Sequence, residues 1–228
     1  MKYVSIDIET TGLDPEKHQI LTIGAVIEDS NKPLPIEDLP SIHIAILRKE
    51  IVGSPFAINM NKDIIESLVY YQTARDQNEK NDLVQMKGMK FCEEDDVVEM
   101  LFHFLYDNGI KPDWGGGNEP LDIHVKVVGG NTYPILTSNI PKVTFNAAGK
   151  NFASFDLKFL ERLPRWKQVF RVRSRILDPG ILFTDWERDF SVPGLSECKK
   201  RAGLNHIVTH DAIDDARDVI ELLRNFYK

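Results

Sequence analysis

Asp7 and Glu9 stand two residues apart in the run Tyr3-Val4-Ser5-Ile6-Asp7-Ile8-Glu9, where polar and apolar side chains alternate. Alternation is the period of a half-buried strand, so both carboxylates leave the same face. In a strand this rich in Val and Ile they repel each other unless a cation neutralises them. Two other acids aim inward. Asp156 keeps helical register with Phe159, Leu160 and Leu163. Asp215 lies about 40° from Val219 on a helix whose apolar stripe is Ala212, Ala216, Val219, Ile220 and Leu223. Its neighbours Asp211, Asp214, Asp218 and Glu221 turn outward and need no more than a solvated face. Carboxylates held inward are costly without positive charge among them, and hard divalent cations with oxygen ligands supply it. Such a set suits two-metal phosphodiester chemistry, in which the ions activate a water and stabilise the departing oxygen. His210, five residues before Asp215, is placed where an imidazole can act as the general base for that water.

The elements that must carry these groups follow from periodicity. Residues 2–9 and Leu21 to Ile27 read as two paired strands around a Gly12, Pro15 turn, and Ser41 to Leu47 as a third. Helical spacing is expected over Asn61 to Tyr71, Asp95 to Tyr106, Phe152 to Leu163, Leu195 to Ala202 and Asp211 to Phe226. Short strands are expected at Val143 to Phe145 and Val169 to Leu177. The alternation predicts an α/β fold, a mixed sheet flanked by helices. Between residues 109 and 141 the triple glycine Gly115-Gly116-Gly117, several prolines and the alternation Ile123, Val125, Val127 predict loops around a small hairpin, inserted into a single domain spanning 1–228.

Composition narrows the classes. The chain has 228 residues, 42% hydrophobic and 28% charged, which excludes collagen, a disordered tail and a disulfide mini-scaffold. Its net charge of −7 disfavours a protein that coats nucleic acid by bulk electrostatics. Cys92 and Cys198 form no CxxC pair, so a thiolate zinc site is not indicated and a reducing compartment is the default. The absence of an apolar leader or a run of about 18 apolar residues leads to the expectation of a cytoplasmic protein without a membrane partner.

Three strings, Ile6-Asp7-Ile8-Glu9-Thr10-Thr11-Gly12-Leu13, Asn151-Phe152-Ala153-Ser154-Phe155-Asp156 and His210-Asp211-Ala212-Ile213-Asp214-Asp215-Ala216, resemble in order the three exonuclease motifs of the DEDD 3′–5′ exonuclease superfamily. The His five residues before the last Asp resembles the DEDDh branch, which has a ribonuclease H-like fold. The likeness covers residues 2–28 and 143–226. It implies metal ligands at Asp7, Glu9, Asp156 and Asp215, a general base at His210, and contact of the turn Thr10, Thr11, Gly12, Leu13 with the 3′-terminal nucleotide. The family's second motif has Asn four residues before its Asp; here that place is Phe152, and Asn151, a substrate-side candidate, lies five before.

The expected reaction is metal-dependent 3′–5′ removal of nucleoside 5′-monophosphates from single-stranded DNA, using two Mg²⁺ ions with Mn²⁺ as a substitute because the ligands are hard oxygens. An RNA-directed exoribonuclease and a non-catalytic nucleic-acid-binding or polymerase-tethered module are the alternatives. A replication or repair partner is compatible with each. Within residues 158–175 seven basic residues face one acid. Arg171, Arg173 and Arg175 alternate and are placed to track phosphates, Arg173 being the substrate candidate, although the run equally fits a solvated basic face. Trp114, Trp166, Trp186 and Tyr133 are candidates for base stacking, Trp166 foremost. Phe56 to Met60 suits either a wedge at the terminal nucleotide or a packing contact.

Overall fold

The computed structural model describes residues 1–113, 125–128, 131–134, 136, 140–204 and 209–227. In chain order the elements are β1 (Lys2–Thr10), β2 (Ile20–Asp29), β3 (Ser41–Ile46), α1 (Pro55–Met60), α2 (Lys62–Thr73), α3 (Gln77–Lys87), β4 (Lys90–Cys92) and α4 (Val97–Asp107). They continue with β5 (Val125–Val128), β6 (Asn131–Pro134), β7 (Val143–Phe145), β8 (Ala147–Ala148), α5 (Asp156–Leu160), α6 (Trp166–Val169), β9 (Phe170–Val172), α7 (Pro179–Leu182), α8 (Leu195–Arg201) and α9 (Ala212–Arg224).

A mixed five-stranded sheet runs in the order β4-β3-β2-β1-β8. β1, β2 and β3 are antiparallel neighbours, while β4 and β8 join the two edges in parallel. β7 precedes β8 and forms a separate parallel pair with β9, whose Val143, Phe145 and Phe170 share the core under β1 with Val4 and Ile6. The alternation in β1 sorts its side chains between two cores. Val4, Ile6 and Ile8 pack with Leu101, Phe102 and Leu105 of α4 and with Phe145 and Phe152. On the other face Tyr3 packs with Ala216, Val219, Ile220 and Leu223 of α9. The architecture is the expected α/β one, and its strand order and flanking helices are those of a ribonuclease H-like fold.

The hairpin anticipated around Val125 and Val127 is present as the antiparallel pair β5 and β6, whereas Gly115-Gly116-Gly117, Ile123 and Trp114 lie outside the described residues. The helix expected over 152–163 is confined to Asp156–Leu160. Asn151 adopts a left-handed φ of 59° and its carbonyl accepts from Ser154 N and Phe155 N, so a turn precedes the helix. Pro164 supplies no donor and disfavours helical geometry at Leu163. The strand expected over 169–177 is ladder-paired only at Phe170–Val172, with a further bridge at Leu177. Trp166 is not available for stacking on bases: it is buried and meets Phe170 edge-on at 4.8 Å between ring centroids. α3 escapes periodicity because its sequence is almost entirely polar; Asp76 caps its start and Gly88, with φ 64°, ends it. No helix among the described residues is long and apolar enough to cross a membrane.

Candidate active site

Gly24 decides where the carboxylates meet. It pairs with Asp7 across β1 and β2, and a Cβ on it would stand 2.2 Å from the Ala212 carbonyl oxygen. Only hydrogen at this position lets the first turn of α9 lie directly on the strand, which brings Asp215 beside the Asp7 and Glu9 face. Asp211 caps that turn, its Oδ1 accepting from Ile213 N at 3.1 Å and Asp214 N at 3.4 Å. His210, immediately before the cap, has φ 52°, a left-handed bend that leaves its side chain exposed. One donor atom each from Glu9, His210 and Asp215 lie within 4.8 Å of one another.

Asp156 arrives from the opposite side. β8 pairs with β1 only at Val4 and Ser5, so the Ile8 amide has no strand partner on that edge and donates to Asp156 Oδ1 at 3.2 Å. This bond fastens the start of α5 to β1 between Asp7 and Glu9. Glu9, Asp156 and Asp215 are buried and Asp7 is half-buried.

Burial and mutual repulsion make the charged forms unfavourable. Burial, then the neighbouring Asp156, Asp215 and Glu9, raise the Asp7 carboxyl well above the usual range. Burial raises Glu9 to about 7, with Asp215 and Asp211 adding to the effect and a hydrogen bond from Asn61 opposing it. Burial raises Asp156 to about 7 against the pull of its backbone hydrogen bonds, and burial with the nearby Asp218 raises Asp215 to about 7. Asp215 Oδ1 is buried with no hydrogen-bond partner among the described residues. An orphaned carboxylate oxygen beside other hard-oxygen donors fits a divalent cation.

The turn after β1 is rigidly braced. Thr10 Oγ1 donates to the Gly12 carbonyl at 2.8 Å, and Thr11 Oγ1 donates to the Val52 carbonyl at 2.6 Å and accepts from Gln19 N at 2.9 Å. Ser54 N donates to the Thr11 carbonyl at 2.8 Å. Leu13 is left 82% exposed at the tip, and Phe56 on α1 is 78% exposed. Asn151 is engaged elsewhere: its amide donates to Asp178 Oδ2 at 3.0 Å and its Oδ1 accepts from Lys150 Nζ at 2.9 Å. Arg173 is exposed on a separate cavity that contains none of the clustered acids.

Three participants escape sequence reasoning. Asn61 is buried, donates to the Thr10 carbonyl at 3.0 Å and hydrogen-bonds Glu9; nothing in its surroundings in the sequence singles it out. His43, opposite Gly24 on β3, is buried with Nδ1 3.9 Å from Asp211 Oδ1, and burial lowers its pKa. Lys199 is buried and ion-paired with Asp218, so Asp218 is not simply a solvated acid of the outer face. The spacing of Lys199 four residues after Leu195, on the inner side of α8, was the available signal.

No protein-family model and no curated protein sequence matches the chain. Solved structures do. Escherichia coli exonuclease I in complex with a dT13 oligonucleotide is 12% identical, with a TM-score of 0.52 over 98% of this chain and 40% of that one. A zinc-bound form of the E. coli exonuclease I complex with single-stranded DNA is 13% identical, with a TM-score of 0.54 over 98% of this chain and 39% of that one. Cell-death related nuclease 4, CRN-4, is 11% identical, with a TM-score of 0.53 over 99% of this chain and 63% of that one. The chain thus spans about two fifths of the length of exonuclease I. At these identities the likeness establishes architecture: the chain has the ribonuclease H-like fold on which these nucleases are built.

Proposed function

We propose that the chain is a divalent-metal-dependent 3′–5′ exonuclease that releases nucleoside 5′-monophosphates from single-stranded DNA. The observation that carries this reading is the convergence of Asp7, Glu9, Asp156 and Asp215, with no ion pair to Asp7, Glu9 or Asp156 among the described residues and with Asp215 Oδ1 unpartnered there. The four carboxylates are the residues that would hold the metal. Two bound ions, Mg²⁺ or in its place Mn²⁺, supply Lewis acidity to the scissile phosphate and charge stabilisation to the departing oxygen. His210 takes a proton from the attacking water, whose oxygen bonds to phosphorus while the bond to the 3′ oxygen of the preceding nucleotide breaks. The products are a nucleoside 5′-monophosphate and a strand one residue shorter with a free 3′ hydroxyl.

Burial of the acids favours their protonated forms until the cation binds, so metal loading and proton release are coupled. The braced Thr10, Thr11, Gly12 turn, with Leu13 and Phe56 exposed beside it, offers an apolar edge to the terminal base and sugar. Support for a single-stranded substrate comes from exonuclease I, whose complexes hold such oligonucleotides. We read residues 109–141 as an insertion within one exonuclease domain, because β8, shortly after it, pairs with β1.

The test is digestion of 5′-labelled single-stranded DNA and RNA of one sequence with Mg²⁺, with Mn²⁺ and with chelator, beside the Asp7→Ala protein. A one-nucleotide ladder shortening from the 3′ end, stronger on DNA and lost with chelator and in the variant, is expected. Preference for RNA would transfer the reading to an exoribonuclease. A folded protein that cleaves neither strand with either ion would overturn catalysis in favour of binding alone.

A further inference from the structure

A cavity separate from the acid cluster lies beside β7 and β9. Its volume is about 720 Å³, and among the described residues its polar walls are Thr144, Asn146, Arg171, Arg173, Ser174 and Arg175, with Asp113 as the one acid. The three arginines are exposed, and none forms an ion pair with a described residue. On a chain of net charge −7 this sets three guanidinium groups against one acid among the described residues of the cavity wall.

Strand register fixes where the patch stands relative to the carboxylates. Ala147 pairs with Val4, Thr144 pairs with Arg171, and Arg173 N continues the ladder to the Phe145 carbonyl at 3.0 Å. Ala147, Phe145 and Val143 belong to the core on the α4 side, so the alternate residues Thr144 and Asn146 face the other way. Paired residues in adjacent strands share a face. Arg171 and Arg173 therefore lie on the Asp7 and Glu9 face. Thr144 is three residues before Ala147 and Asp7 is three after Val4, which separates Arg171 from Asp7 by about 20 Å at roughly 3.3 Å per residue.

We infer that Arg171, Arg173 and Arg175 form a second nucleic-acid contact that holds backbone phosphates of the substrate strand upstream of the 3′ end lodged at the carboxylates. This rests on the exonuclease reading. Guanidinium forks suit phosphate oxygens, and contacts to phosphates anchor a strand without regard to base sequence. The triad thus supplies length-dependent affinity and leaves the chemistry to the acid cluster. At about 3.4 Å per stacked nucleotide a strand needs about six residues to span the gap; a trimer falls short and a 12-mer reaches.

The experiment compares the parent with the triple variant Arg171→Ala, Arg173→Ala, Arg175→Ala, with matching melting curves as the control for folding. The ratio of kcat/KM on a DNA 12-mer to that on a trimer is expected to fall at least tenfold. Binding of a labelled 12-mer is also followed by anisotropy in chelator across a salt series. Removing three phosphate contacts is expected to flatten the slope of log K against log salt by about 2, at roughly 0.7 per single-strand contact. An unchanged ratio and slope, or equal loss on both lengths, overturns the distal contact. So does binding of an acidic peptide, lost in the triple variant, by a parent that does not bind the 12-mer. If the parent degrades neither length, the exonuclease reading fails, and the salt series still decides on the triad.

Discussion

The two ends of α9 both bury carboxylates of the β1–β2 hairpin, and they treat them in opposite ways. At the C-terminal end Glu28 is fully buried and answered by Arg224, whose Nε donates to Glu28 Oε2 at 2.6 Å and whose Nη2 also reaches that oxygen and the Leu34 carbonyl. Tyr3 and Tyr227 close this end with a hydroxyl pair at 2.7 Å. At the N-terminal end Asp7, Glu9 and Asp156 have no ion-pair partner among the described residues, and Lys199, the cation near Asp215, is ion-paired with Asp218. The helix dipole favours this arrangement, acids at its start and a guanidinium in its last turn, but half a charge does not neutralise a cluster of acids. A buried carboxylate is therefore no signature by itself. What distinguishes the two ends is that, among the described residues, one contains its counter-charge and the other leaves Asp7, Glu9 and Asp156 without one.

That contrast breaks most sharply with Asp215→Asn. The amide preserves shape and removes an acid, so kcat in Mg²⁺ is expected to drop by roughly 10³-fold or more, the scale on which preorganised charge acts. The metal-free melting temperature should rise, because one repelling charge is gone. Steady-state kinetics beside thermal melts read both effects, and activity within tenfold of the parent would remove Asp215 from the machinery. Arg224→Met reverses the pattern. It strands Glu28 without its cation, and a loss of about 3 kcal/mol or more in urea unfolding is expected, with kcat little altered in the folded fraction.

A pH series separates the two ends of α9 without any mutation. Glu9, Asp156 and Asp215 hold protons up to about 7 in the folded chain, against ordinary values of 4.5, 3.8 and 3.8. Between about pH 4 and 7 the native state then binds more protons than the unfolded one, so stability is full below that window and declines as pH rises through it. Metal-free protein is expected to be more stable at pH 5 than at pH 8, each of the three acids contributing up to about 2.7 kcal/mol over the two units between about pH 5 and 7. Millimolar Mg²⁺ should restore most of the difference at pH 8 and add little at pH 5, with Arg224→Met keeping the same metal response. Metal-free protein that becomes more stable from pH 5 to 8 would contradict the picture of an unneutralised cluster.

The sequence made most of this contrast legible, for identifiable reasons. Period-2 alternation placed Asp7 and Glu9 on one face, and the 3.6-residue period of α9 separated Asp215 from its outward neighbours, because each element is long enough for a pattern to repeat. The inward turn of Asp156 was legible although α5 is only five residues long, since Phe159 and Leu160 share its register and are buried with it. What failed was what depends on contacts between distant residues. Asn61 reaches Glu9 across 52 positions, and no local pattern marks a buried amide. Trp166 sits in a basic run but turns into the core with Phe170, because composition of a segment does not say which way each side chain points. Glu28 ended the apolar run of β2 and gave no hint that Arg224 would meet it.

Gly24→Ala tests whether the close approach of α9 places Asp215, and its effect on kcat should be far below that of Asp215→Asn. The added methyl would sit 2.2 Å from the Ala212 carbonyl oxygen and 2.5 Å from Ile213 N, both backbone atoms that cannot rotate away. The N-terminal turn of α9 must lift from the strand and carry Asp215 and His210 with it, while Asp7, Glu9 and Asp156 stay where β1 and α5 hold them. Overpacking of this kind costs about 1 to 3 kcal/mol. The displacement of two groups from the cluster should lower kcat by about tenfold and raise the Mg²⁺ concentration needed for half-maximal rate. Tyr227→Phe is the matching change at the other end of the helix. It deletes the hydroxyl bonded to Tyr3 and should cost about 1 kcal/mol while leaving kcat and the metal requirement alone. If both variants lost stability and neither altered the metal requirement, the close approach of α9 to β2 would be a packing feature only, and the placement of Asp215 would have to come from elsewhere in the fold.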